Sequence, residues 1–212
     1  YAGAEQPEAL PGEKVADYTA LMAASQPMVA QEVLAAYRFG PHRRLMDVGG
    51  GSGAFLTAVG KATPGLDLLL FDLPAVAEQG RQRFAREGLA DRAMAMGGDF
   101  TTDSLPLGAD IISLVRVLHD HDDDVVQALL RRVRAALPKG GRVLIAEPMA
   151  GTAGAEPMGG AYFGFYLLAM GRGRPRRPDE LAGMLTEAGF QAPKLLPTDT
   201  PLLTRVMQAE AA

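Results

Sequence analysis

Apolar residues in this chain come in blocks. Short apolar runs at 44–48, 66–71, 92–96, 111–115 and 142–146 are each of strand length and bounded by turn residues. The stretches between them carry apolar positions at helical spacing. The clearest helix is traced by Val125, Val126, Leu129, Leu130, Val133 and Leu137, which fall on one face and stop at Pro138-Lys-Gly-Gly141. Further helices are predicted at 54–62, 74–87 and 178–189, the last closed by glycine. Upstream, Val15, Leu21, Met22, Val29, Val33 and Leu34 recur at roughly helical spacing, which predicts paired helices over 13–37 with Pro27 opening the second. Residues 161–170 are apolar nearly all round. In the tail, runs at 194–196 and 203–207 flank Thr198-Asp-Thr-Pro201 and predict a closing hairpin.

Strands that alternate with helices of ten or so residues imply βαβ units. The expected fold is therefore α/β and Rossmann-like: a mostly parallel, seven-stranded sheet with helices on both faces and an antiparallel C-terminal hairpin strand. A length of 212 residues suits one domain with a sizeable core, and 48% hydrophobic against 22% charged residues excludes a disordered chain. The net charge of −4 gives no basic footprint for a phosphate backbone, so no nucleic-acid partner is expected. Cysteine is absent, which removes disulfides, thiolate metal sites and a cysteine nucleophile together. No apolar run approaches the ~20 residues of a spanning helix, and a soluble, cytoplasmic protein is expected.

The first candidate site is Asp47-Val-Gly-Gly-Gly-Ser-Gly53, placed between the first buried strand and a helix, where α/β sheets open their ligand crevice. Glycines there let a backbone approach a ligand, and the helix N-terminus offers free N–H groups. Two ligand classes use such a loop. A dinucleotide site spaces its glycines Gly-x-Gly-x-x-Gly, whereas Gly49, Gly51 and Gly53 follow Gly-x-Gly-x-Gly. An acid at Asp47 would also crowd a pyrophosphate, yet it suits the ammonium and sulfonium of S-adenosylmethionine. Asp72 in Phe71-Asp-Leu-Pro74 ends the second strand, where a carboxylate can accept from both ribose hydroxyls. Asp99 and Phe100 end the third, an acid and an aromatic suited to an adenine amino group and its ring. Acids closing three successive strands form a coherent nucleoside pocket.

Leu45-Met-Asp-Val-Gly-Gly-Gly-Ser-Gly53, Phe71-Asp-Leu-Pro74, Gly97-Gly-Asp-Phe100, Val117-Leu-His-Asp120 and Ala146-Glu-Pro148 occur in one order and spacing. As a set they resemble the caffeic-acid-type O-methyltransferases, of the class I S-adenosylmethionine-dependent kind, from about Asp17 to the C-terminus. Phe165-Tyr-Leu-Leu-Ala-Met-Gly-Arg-Gly-Arg-Pro-Arg176 resembles the bacterial branch that methylates hydroxylated carotenoids, the hydroxyneurosporene and demethylspheroidene O-methyltransferases. Members of this family carry a helical N-terminal dimerisation domain of about a hundred residues, an ordinary domain size. The resemblance implies a homodimer for the full-length protein. It divides this chain into a helical lead-in from that missing domain, 1–40, and a cofactor-binding catalytic domain, 41–212.

The resemblance implies S-adenosylmethionine as methyl donor, S-adenosylhomocysteine as product, no metal, and a small hydroxylated acceptor. It makes His119, at the end of the fourth strand, the general base, because a neutral imidazole is matched to deprotonating a hydroxyl near pH 7. Glu147 would orient that ring. The family usually places another carboxylate near the position of Pro175, so here the base relies on Glu147 or Asp120. Leu73 and Arg116 fall on the cofactor side, and Met22, Phe163, Tyr166 and Met170 on the acceptor side, where methionines and aromatics suit a long apolar substrate. His119-Asp-His-Asp-Asp-Asp124 is rich in metal-ligand types but reads more simply as the capped first turn of a helix, with His121 solvated or packed. Arg172, Arg174, Arg176 and Arg177 suit either an anionic membrane surface or a solvated face with one arginine paired internally. A phenol or polyketide hydroxyl is the alternative acceptor. An NAD-dependent oxidoreductase and a non-catalytic S-adenosylmethionine-binding protein are the alternative functions.

Overall fold

The computed structural model describes residues 25–152 and 173–212. A first helix, α1, occupies 25–36, so Pro27 lies within its first described turn. There follow β1 (Arg44–Val48), α2 (Ala54–Ala62), β2 (Asp67–Asp72), α3 (Pro74–Arg86), β3 (Ala93–Gly97) and β4 (Ile111–Val115). A 3-10 turn (Leu118–Asp120) then leads into α4 (Asp123–Ala136), β5 (Arg142–Glu147), α5 (Pro178–Glu187), β6 (Phe190–Leu196) and β7 (Arg205–Ala211). The seven strands form one sheet in the order β3-β2-β1-β4-β5-β7-β6. β3 to β5 pair in parallel, and β7 inserts antiparallel between β5 and β6.

Strand alternation sorts the core into two layers. Met46, Val48, Ile112, Leu114, Val143 and Ile145 face α4 and α5, meeting Val126, Leu129, Leu130, Val133, Leu181 and Leu185. Leu45, Leu68, Leu70, Ile111, Leu144 and Val206 face the other way, onto Val29 and Val33 of α1, Phe55 and Val59 of α2, and Phe84 of α3. The part of the lead-in from 25 to 36 thus packs into the core of the sheet. Each such fully buried aliphatic side chain contributes about 1.5–3 kcal/mol relative to exposure.

The tail departs from the expected boundaries. β6 begins at Phe190 rather than 194, and β7 spans Arg205–Ala211 rather than 203–207. Pro193 interrupts the strand pattern in the sequence. It is tolerated because β6 is an edge strand, where a missing N–H costs no ladder bond, and a register irregularity between Gln191 and Lys194 absorbs it. β7 continues through Gln208-Ala-Glu-Ala211, weak strand formers held in place by pairing with β5.

Candidate active site

The chain runs outward from β1 to β3, then returns to place β4 on the opposite side of β1. The carboxyl ends of β1 and β4 therefore flank the point where the strand order reverses, which is where open α/β sheets bind ligands. The glycine loop leaves β1 there, and Arg116 to Asp120 leave β4.

Register explains the setting of Asp47. It lies opposite Leu70 on β2 and Ser113 on β4, all on the face toward α2. The carboxylate is completely buried, and Ser113 Oγ donates to its Oδ1 at 2.6 Å. Oδ2 has no hydrogen-bond partner. Burial, outweighing the Ser113 bond and reinforced by the nearby Asp72, raises its pKa to about 7. A Cβ on Gly50 would stand 2.2 Å from Asp47 Oδ2 and 2.7 Å from Leu70 Cδ1, so the loop lies directly over the acid. Asp47 reaches the crevice through that loop rather than at its surface.

The other acids shape the loop and its rim. Gly51 N–H donates to Asp72 Oδ2 at 2.8 Å and Leu73 N–H to Asp72 Oδ1 at 2.7 Å, and burial raises the Asp72 pKa against both bonds. Leu73 occupies the N-cap position of α3 beside it. Asp99 Oδ1 accepts from the backbone N–H and the hydroxyl of Thr101, at 2.8 and 2.6 Å. Phe100 is buried, stands edge-on to His121 with centroids 5.4 Å apart, and approaches Gly49. His121 is thus a packing residue, its pKa lowered chiefly by burial. Arg116 holds a left-handed φ of 59°, a strained setting for a side-chain-bearing residue. Its guanidinium donates to Ser25 Oγ at 2.9 Å, tying the end of β4 to α1.

His119 sits on the 3-10 turn and is only 2% exposed. Glu147 Oε2 lies 3.3 Å from its Nδ1 and accepts its backbone N–H at 3.1 Å. Asp120 Oδ1 stands 3.3 Å from Nε2. Burial opposes a charged ring, yet the hydrogen bond to Glu147 and the charges of Asp120 and Glu147 outweigh it and the Arg116 charge, holding the pKa above the ordinary 6.5. His119, Asp120 and Glu147 are thus brought together. Met22, Phe163, Tyr166, Met170 and Arg172 lie outside the described residues. Among the described residues no group of three or more His, Cys, Asp or Glu converges as a metal site, and no helix is long and apolar enough to cross a membrane.

Some residues around the site were not singled out as contributors from the sequence. Ser113 partners Asp47, and its small polar side chain inside the buried run 111–115 was the available signal. Arg83 of α3 donates to Ser52 O at 2.9 Å, bracing the glycine loop from behind. In the arginine cluster, Arg176 is the internally paired member, completely buried, while Arg174 pairs with Asp123 and Glu180 and Arg177 with Asp179.

Residues 9–191 match the family model described as an O-methyltransferase domain. The chain belongs to the O-methyltransferase domain family, whose members use S-adenosylmethionine. It is 50% identical over 197 residues to the demethylspheroidene O-methyltransferase of Cereibacter sphaeroides, covering 93% of this chain and 52% of that protein. To the enzyme of the same name from Rhodobacter capsulatus it is 46% identical over 193 residues, 91% of this chain and 48% of that one. The crystal structure of human N-acetylserotonin methyltransferase in complex with SAM superposes with a TM-score of 0.76 at 28% identity, covering 91% of this chain and 55% of that one. The chain spans about half the length of the curated relatives it matches.

The loop fits that cofactor. Gly50 admits no Cβ, Gly49, Gly51 and Gly53 hold positive φ, and a buried acid with one unpaired oxygen backs the loop. Such a cradle would present bare backbone, backed by a buried acid, to a zwitterionic, cationic ligand.

Proposed function

We propose that the enzyme to which this domain belongs transfers a methyl group from S-adenosylmethionine to the hydroxyl of an apolar acceptor, a hydroxylated carotenoid, with His119 as general base. The observation that carries this reading is the seat of His119. It stands just past the carboxyl end of β4, the strand next to β1 and its glycine loop, with Glu147 on Nδ1. The cofactor supplies a methyl group already activated on a sulfonium, so the domain's own task is placement and proton removal.

A Glu147 carboxylate is an acceptor, so it holds the proton on Nδ1, and Nε2, the nitrogen beside Asp120, is left to take the proton of the reacting hydroxyl. Asp120, 3.3 Å from Nε2, stabilises the imidazolium once the proton has moved. Asp72 retains lone pairs for ribose hydroxyls. Asp99, Phe100 and Leu73 would hold the adenine end, and Arg116, just past the carboxyl end of β4, would border the cofactor. The carotenoid acceptor is supported by the demethylspheroidene O-methyltransferases, at 50% and 46% identity.

A labelled-methyl assay of the intact enzyme against 1-hydroxycarotenoids and simple phenols in parallel tests the acceptor; label in phenols alone overturns it. His119→Ala is expected to lower kcat by about 10²–10⁴-fold with S-adenosylhomocysteine affinity unchanged. Undiminished transfer in that variant defeats the base assignment. Because the base must be neutral, kcat/KM should rise with pH through an apparent pKa above 6.5.

A further inference from the structure

We propose that Arg176 is a positioning residue for methyl transfer, its guanidinium clamping the turn that presents His119. The inference rests on the assignment of His119 as the base. Arg176 is completely buried, and its donors converge on that turn. One terminal nitrogen donates to Leu118 O at 2.7 Å and to Arg174 O at 3.5 Å. The other donates to His121 O at 2.7 Å, and Nε donates to Asp123 Oδ1 at 2.8 Å. The two carbonyls gripped most closely belong to residues 118 and 121, which bracket His119 and Asp120. Asp123, the first residue of α4, supplies the countercharge.

A second contact joins the same two segments. Gly173, at φ +81°, lies so close to the turn that an added Cβ would stand 2.3 Å from His119 O. Gly173 N–H donates to Asp122 Oδ1 at 3.0 Å. Residues 173–176 therefore press against the base-bearing turn from one side while Glu147 holds the ring and its backbone N–H from another. Burying a guanidinium carries a desolvation cost that only a full set of partners offsets. Here that set is the peptide geometry around the base. A planar fork with five donors can span two carbonyls and a carboxylate together, whereas the three donors of a lysine ammonium radiate from a single point.

The test uses the intact enzyme with S-adenosylmethionine and a 1-hydroxycarotenoid. Arg176→Lys keeps the charge and loses the fork; it is expected to lower kcat about 10- to 100-fold, the range a small misplacement of a catalytic group produces, with S-adenosylhomocysteine affinity unchanged. In the folded variant the His119 ring proton resonance should titrate closer to the ordinary histidine value, because the ring slips from Glu147. Glu147, Asp120, Arg116 and His121 are the charged or titratable groups facing it, and His42 is the internal control. A role in stability alone would lower the melting temperature and leave that titration in place. Should Arg176→Lys fail to fold, Asp123→Asn decides: its side chain is 56% exposed, and its loss should shift kcat and the titration in the same directions. Parental kcat and titration in the folded variant, beside an inactive His119→Ala, overturn the inference and leave the base standing. Full activity in His119→Ala overturns the base and the inference with it.

Discussion

At the scale of single residues, buried ionisable groups set how the domain responds to pH. The folded-state pKa of Asp47, about 7, stands above its ordinary 3.8. Between those values the unfolded chain gives up this proton before the folded one does, so stability falls as pH rises from about 4 to about 7 and the loss is complete above it. Asp47→Asn removes the titration. It should melt higher than the parent at pH 8, with the gap closing toward pH 4, as followed by thermal denaturation across pH; a constant gap would count against burial as the cause. His119 adds a change of the same sign. Its raised pKa contributes stability that is fully present below 6.5 and fades as pH passes upward through the folded value. The charges were legible in the sequence as acids after strands and a histidine after the fourth. Glu147 was legible as the partner of His119 only through the family resemblance, and Ser113 was not legible at all as the partner of Asp47, since it lies 66 residues away.

The elements owe their positions to close backbone approach as much as to apolar faces. The loop between β1 and α2 depends on Gly50 because Asp47 Oδ2 and Leu70 Cδ1 occupy the space a Cβ would take. Gly50→Ala must displace the loop or the acid. It should weaken S-adenosylhomocysteine binding by about tenfold or more and destabilise the fold by about 1–3 kcal/mol, an overpacking cost readable by calorimetry and chemical denaturation. Unaltered binding would show that the loop is not the cofactor cradle. The helix of 123–136 was legible because its apolar stripe is continuous. The beginning of β6 was not, because Pro193 and the irregularity beside it break the alternation on which a strand is recognised.

For the whole molecule, the sheet decides what is site and what is scaffold. β7 covers β5, and Met207 lies opposite Ile145 in the core shared with α4 and α5. Met207→Ala should cost about 2–5 kcal/mol in urea denaturation while S-adenosylhomocysteine affinity holds, since β7 is scaffold; a parallel fall in affinity would place it in the site. The arginine cluster shows the same division. In the sequence it suited a membrane surface or a solvated face, and in the fold Arg174, Arg176 and Arg177 each meet an acid. By itself the sequence determined the α/β class, the strand and helix order and the acids and glycines of the crevice. Those follow from local spacing: hydrophobic periodicity, turn residues, and motifs whose members are neighbours along the chain. Tertiary structure alone decided that Asp47 lies beneath its loop, that Ser113 is its partner, and that Arg176 grips the turn that carries His119. Each of these depends on which strands end side by side and in which register, and that is settled by the packing of the whole sheet.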